Sequence, residues 1–200
     1  MPTVFSHAAV GFVAAKVVAE ATAENSRIVA GAMALAALPD TDALFISVIP
    51  YNSPLGHRGL THSLAFAAVV GLLVAALFSK AGWAKNRSFW PLTIFFALVT
   101  ASHGFFDAMT DGGLGIAFFA PFNNGRYFLP WRPIPVAPLS LEGLMAARGL
   151  SVLGWEAALF WTFTLGAMIW DKGAMLRKIL AGACALVGIA MWIIGLMERG

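Results

Sequence analysis

The sequence predicts an all-α protein, a polytopic membrane bundle of about six helices with one long loop on its outer side. Three observations predict it. Hydrophobic residues make up 60% of the 200 residues and charged ones only 12%, about half the roughly 25% of soluble domains; the mean hydropathy is +0.79. Apolar stretches approaching the roughly 20 residues of a transmembrane helix recur between charged turns. Between residues 111 and 149 that pattern gives way to glycine, proline and aromatic residues. A soluble globular domain and a disordered chain are excluded. So is a disulfide scaffold, because Cys184 is the single cysteine. The length suits one domain spanning 1–200. The net charge of +3 reads as loop lysine and arginine that orient helices rather than as a nucleic-acid footprint, so no nucleic-acid partner is expected.

Each element follows in order. Val4 to Val18 is short and carries Lys16, and Ser6 before His7 is a candidate N-cap. Met1 to Ser6 has no basic region and no clean cleavage site follows, so this start is not read as an ordinary signal peptide. Ile28 to Ile49 is interrupted by Pro39, Asp40 and Asp42. Leu60 to Phe78, Phe89 to about Phe106, Ser151 to Trp170 and Ile179 to Leu196 are uninterrupted spans. Asp111 to Gly149 is a long loop whose aromatic residues predict packing at the membrane interface. Lys80, Lys85 and Arg87 in one turn, and Lys172, Arg177 and Lys178 in another, mark the cytoplasmic side. The loop and the N-terminus then face out.

The four histidines, His7, His57, His62 and His103, all fall near outer helix ends beside other polar residues. His103 and Asp107 are four apart, which puts imidazole and carboxylate on one helical face, continued by Thr110 and Asp111. Asp40 and Asp42 follow Pro39, and His57 and His62 bracket the start of the third span. Carboxylates near apolar helices are expensive unless compensated, and Asp40, Asp42, Asp107 and Asp111 have few basic partners in sequence beyond Arg58. One ion would compensate several of them and account for the histidines. Nitrogen and oxygen donors without thiolate suit zinc, manganese or iron(II). Asp42 reads equally as a helix cap or a ligand.

Together, His7, Pro39-Asp40-x-Asp42, His57-Arg58-Gly59-x-Thr61-His62-Ser63 and Ser102-His103-x-x-x-Asp107-x-x-Thr110-x-x-Gly113 resemble the YdjM-like family of membrane-bound metal-dependent hydrolases. The resemblance spans roughly residues 6 to 140. That family is distantly similar to zinc-dependent phospholipases C and the fungal zinc nucleases. The resemblance implies an inner (plasma) membrane location, with His103 and Asp107 as ligands beside Asp40 and either His57 or His62. His7 would serve a second ion bridged by Asp107, giving one or two ions in all.

The function expected is metal-dependent hydrolysis of a phosphoester in a lipid or lipid-linked substrate, with the site at the extracytoplasmic mouth. Asp42 or Asp111, whichever is not a ligand, would orient the attacking water. Arg58, Arg126 and Arg132 are candidate phosphate clamps, each equally able to serve as an interfacial anchor. The rival is a metal or proton-coupled transporter, which would place its ligands at the bilayer midplane on discontinuous, repeat-related helices. Oligomeric state is not written in the sequence.

Overall fold

The computed structural model describes residues 1–18, 26–82, 88–170 and 175–199. Lys85, Arg87, Asp171 and Lys172, on which the orientation partly rests, lie outside the described residues. All regular structure among the described residues is helical: α1 (Val4–Val18), α2 (Ser26–Ala37), α3 (Leu64–Lys80), α4 (Phe89–Ala108), the short α5 (Leu141–Met145), α6 (Ala147–Glu156), α7 (Thr162–Ile169) and α8 (Met175–Arg199). A π-helical stretch, Ala157–Trp161, joins α6 to α7 without a break.

The second span does not run straight to Ile49. Pro39 has no N–H to donate and its ring crowds the preceding turn, so α2 stops at Ala37 and the chain tightens into a 3-10 helix, Leu38–Phe45. The third span also starts late. Leu60–His62 is a separate 3-10 turn, and Ser63 caps α3 by accepting the Phe66 N–H at 3.1 Å. Ser6 does not cap α1 as expected, since the helix already begins at Val4. The predicted loop is shorter than Asp111 to Gly149, because α5 and the first turn of α6 occupy its last part. Among the described residues, four helical segments are long and apolar enough to cross a membrane, Ser26–Phe45, Phe89–Ala108, Ala147–Ile169 and Met175–Met197. Val4–Val18 and Leu64–Lys80 are shorter.

Neighbouring helices pair: α1 with α2, α3 with α4 and α7 with α8, while α2 against α4 and α1 against α7 join the hairpins. Close approach needs small residues. A Cβ on Gly11 would lie 2.4 Å from the Ala32 carbonyl oxygen, and one on Gly71 2.6 Å from the Ala97 nitrogen. One core gathers Ala15, Ile28, Ala32, Phe78 and Phe96; a second gathers Ile134, Leu159 and Phe160 under Val10, Phe106 and Trp192. Leucines such as Leu72, Leu73, Leu98 and Leu186 face outward, as a lipid-contacting surface requires.

The loop is packed, as its aromatic content predicts. Ile116 and Tyr127 exchange two backbone hydrogen bonds of 2.9 Å, and Asp111 donates its N–H to the Ile134 carbonyl at 3.0 Å. Ile116 and Ile134 are fully buried. The loop therefore lies over the C-terminal end of α4, where the starts of α1 and α3 and the end of α2 also meet.

Candidate metal centre

The spacing of four in α4 brings His103 and Asp107 to one buried face. Asp40 arrives from the 3-10 turn that Pro39 initiates, and His62 from the turn before α3. A Cβ on Gly104 would lie 2.7 Å from the His62 carbonyl oxygen, so only glycine lets that turn come so close to α4. One donor atom from each of Asp40, His62, His103 and Asp107 lies within 4.8 Å of every other.

The separations decide between a hydrogen-bonded cluster and a coordination shell. His103 Nε2 is 3.2 Å and His62 Nε2 3.8 Å from Asp40 Oδ1, and His62 Nε2 is 3.7 Å from Asp107 Oδ2. The two longer contacts exceed hydrogen-bond range. Two ligands at about 2.0–2.2 Å from a tetrahedral ion stand about 3.4 Å apart, the middle of this range. His62 Nε2, Asp40 Oδ2, both Asp107 oxygens and His7 Nε2 are buried without any hydrogen-bond partner. Such groups are normally satisfied, and a cation held by Asp40, His62, His103 and Asp107 would satisfy the donor atoms that face it.

The outer contacts aim the rings. His103 Nδ1 lies 2.7 Å from the Ala36 carbonyl, which can only accept, so Nδ1 holds a proton and Nε2, 3.2 Å from Asp40 Oδ1, is the nitrogen turned inward. His62 Nδ1 lies 3.2 Å from Asp42 Oδ2, the carboxylate–histidine arrangement that orients metal-binding imidazoles. Charge points the same way. Asp40, Asp42 and Asp107 are buried, and Arg58 is the one buried guanidinium among them.

The remaining expected residues divide. His7 stacks on His103 with ring centroids 3.6 Å apart and sets Nε2 3.2 Å from Asp107 Oδ1, the oxygen on the other side of the carboxylate from His62. His57 stands outside the four-residue group but forms a second one with Asp42 and His62, whose donor atoms also lie within 4.8 Å of one another; its Nδ1 meets Asp42 Oδ1 at 2.6 Å. Asp42 also accepts from Thr61, so its oxygens bind His57, Thr61 and His62 together. Asp111 does not join the centre. It is exposed and accepts the Val136 N–H at 2.8 Å.

Two of the three arginines have their guanidinium forks occupied by protein acceptors. Arg58 is 1% exposed, with φ of 64°, a conformation rare outside glycine. That turn sends its side chain inward, where it donates to the Gly112 carbonyl at 2.8 Å and Thr110 Oγ1 at 3.0 Å and sets Nε 3.3 Å from Asp107 Oδ2. Gly113, with φ of 93°, makes room: a Cβ there would lie 2.3 Å from an Arg58 nitrogen. Arg126 donates to the carbonyls of Tyr51, Ser53 and His57 and so ties the loop to that turn. Arg132 lies exposed over the Phe128 ring, the anchor alternative.

One residue escaped the sequence reading. Glu156 is fully buried and accepts from Thr3 N–H at 2.8 Å, from Thr3 Oγ1 and from Ser6 Oγ. It pins the first turn of α1, and with it His7, to α6. The available signal was that Glu156 is the lone charged residue between Ser151 and Trp170, and an ionisable group inside a span marks a site by default.

These features define an all-helical membrane protein with a buried His/Asp cluster able to hold a divalent cation. The chain belongs to the YdjM inner membrane protein family, which it matches over residues 1–195. It is also 35% identical over 178 residues to inner membrane protein YbcI of Escherichia coli (strain K12), covering 85% of this chain and 98% of that relative. No solved structure matches it.

Proposed function

We propose that this protein is a metal-dependent hydrolase that cleaves a phosphoester in a lipid or lipid-linked substrate at the outer surface of the inner membrane. The observation that carries the reading is the convergence of buried donor atoms from Asp40, His62, His103 and Asp107, with His62 Nε2 and both Asp107 oxygens lacking a hydrogen-bond partner. These four would hold one divalent cation, and His7 with Asp107 would serve a second. Zinc is the first choice from the donor set, with manganese or iron(II) as alternatives. Such a cation, when bound, lowers the pKa of water and polarises a phosphoryl oxygen. Asp42 orients His62, and Arg58 holds Asp107 in place. The phosphoester part rests on the resemblance to zinc-dependent phospholipases C; the lipid part rests on a centre at the end of a membrane bundle.

Detergent-purified protein should carry one or two zinc ions per chain by elemental analysis and hydrolyse at least one member of a panel of phospholipids and isoprenoid phosphates. Chelation should abolish the activity and zinc should restore it. Bound metal with no hydrolysis across the panel would favour the transporter reading instead.

Sidedness is tested separately. A cysteine at Asn124, an exposed loop position, in a background where Cys184 is replaced, should react with an impermeant thiol reagent on intact cells. Reaction only after permeabilisation, with ready labelling of a cysteine at position 86, would turn the centre towards the cytoplasm.

A further inference from the structure

Beside the centre lies a cavity of about 430 Å³, within the roughly 300–1,000 Å³ of small-molecule sites. Its walls are apolar side chains throughout, among them Val10, Val13 and Val17 of α1, Phe106 of α4, Phe163 of α7 and Trp192 of α8. The one polar group there is already committed, because Trp192 Nε1 donates to the Leu159 carbonyl at 2.9 Å. A polar ligand would find nothing to bond.

The position of the cavity says what fills it. At one end, Val10 sits one helical turn beyond His7 and Phe106 adjoins Asp107. At the other, Val17 is 72% and Val18 63% exposed, so the cavity opens where a bilayer would lie. From Val10 to Val18 α1 rises about 12 Å, carrying the groove from the polar centre towards the hydrocarbon core. The wall opposite α1 includes Leu159 and Phe160 of the π-helical stretch, an irregularity that recurs at functional sites.

We infer that this groove binds a hydrocarbon chain of the lipid whose phosphoester headgroup lies at the metal centre. The inference rests on the hydrolase reading for the headgroup, while the groove itself rests on its lining and its two ends. The same chemistry serves an acyl or an isoprenyl chain, and the experiment separates them.

The protein is placed in nanodiscs of phosphatidylethanolamine and phosphatidylglycerol containing a trace of either a phospholipid with a diazirine in its acyl chain or a diazirine-bearing polyprenyl phosphate. After photolysis, adducts are mapped by mass spectrometry. One probe should mark α1 between Val10 and Val18 together with the facing residues of α7 and α8, and which probe does so identifies the chain. Val13 belongs to neither buried core, so Val13→Trp fills the groove at least cost to the fold; Val17→Trp, at its open end, serves if Val13→Trp fails to fold. Excluding two or three methylenes is enough to cut the groove adducts by about tenfold or more. Adducts at Leu72 and Leu73 on the outer face of α3, and the metal content, should stay unchanged. Adducts spread evenly over the lipid-facing helices and indifferent to both tryptophans would overturn the groove. Groove labelling without hydrolysis of any lipid keeps the groove and removes the hydrolase reading. Hydrolysis of a soluble phosphodiester without groove labelling does the reverse.

Discussion

Asp107→Asn should strip the protein of bound metal and, by leaving Arg58 without its carboxylate, also lower its stability. Both Asp107 oxygens are buried and without hydrogen-bond partners, with His7 on one side and His62 and Arg58 on the other. Asparagine keeps the shape but brings no charge. The affinity loss should exceed the roughly 10–100-fold that removal of an outer-sphere partner costs, and Asp42→Asn, which only loosens His62, should fall within that range. Asp111→Asn should retain its metal, since that carboxylate is exposed and bonded to Val136. Elemental analysis and competition with a zinc chelator read all three. Equal loss in Asp107→Asn and Asp111→Asn would mean a folding defect rather than a centre.

Arg58→Met should cost the most stability. The substitution deserts the Gly112 carbonyl, Thr110 Oγ1 and one oxygen of Asp107, and breaking a buried ion pair from one side typically costs about 3–5 kcal/mol. At this chain length that is a fall in melting temperature of roughly 6–20 °C. Zinc should return part of it, because saturation at 100 times the dissociation constant contributes about 2.7 kcal/mol. Arg58→Lys should not substitute, as a single ammonium cannot reach three acceptors with the geometry of a guanidinium. Thermal unfolding in detergent with and without zinc measures it. An unchanged melting curve would remove Arg58 from its positioning role.

The helices were legible because their apolar runs are bounded by charged turns, and the gathering of histidines at one end because each lies near a predicted outer terminus. Local spacing joined His103 to Asp107. It could not separate His57 from His62. The 3-10 turn of three residues gives His62 both neighbours, Asp42 at Nδ1 and Asp107 at Nε2, while among the described residues His57 meets Asp42 alone of the carboxylates. Arg58 looked like a surface clamp because sequence patterns do not reveal a left-handed backbone that sends the side chain inward. Asp42 and Asp111 looked alike, as acids beside a motif, and differ only in what closes around them. The contacts of Glu156 were least legible, because their partners lie 150 and 153 positions away.

That separation has a consequence for biogenesis. His7 is translated and inserted first, yet the carboxylate that pins its helix leaves the ribosome only after another 150 residues or so, about 8–30 s later at roughly 5–20 residues per second. The nascent N-terminal hairpin must wait in the bilayer with its hydroxyls at Thr3 and Ser6 unclaimed by Glu156. The seating of α1, and with it of His7, on α6 is therefore completed late in synthesis, after Asp40, His62, His103 and Asp107 have all been made.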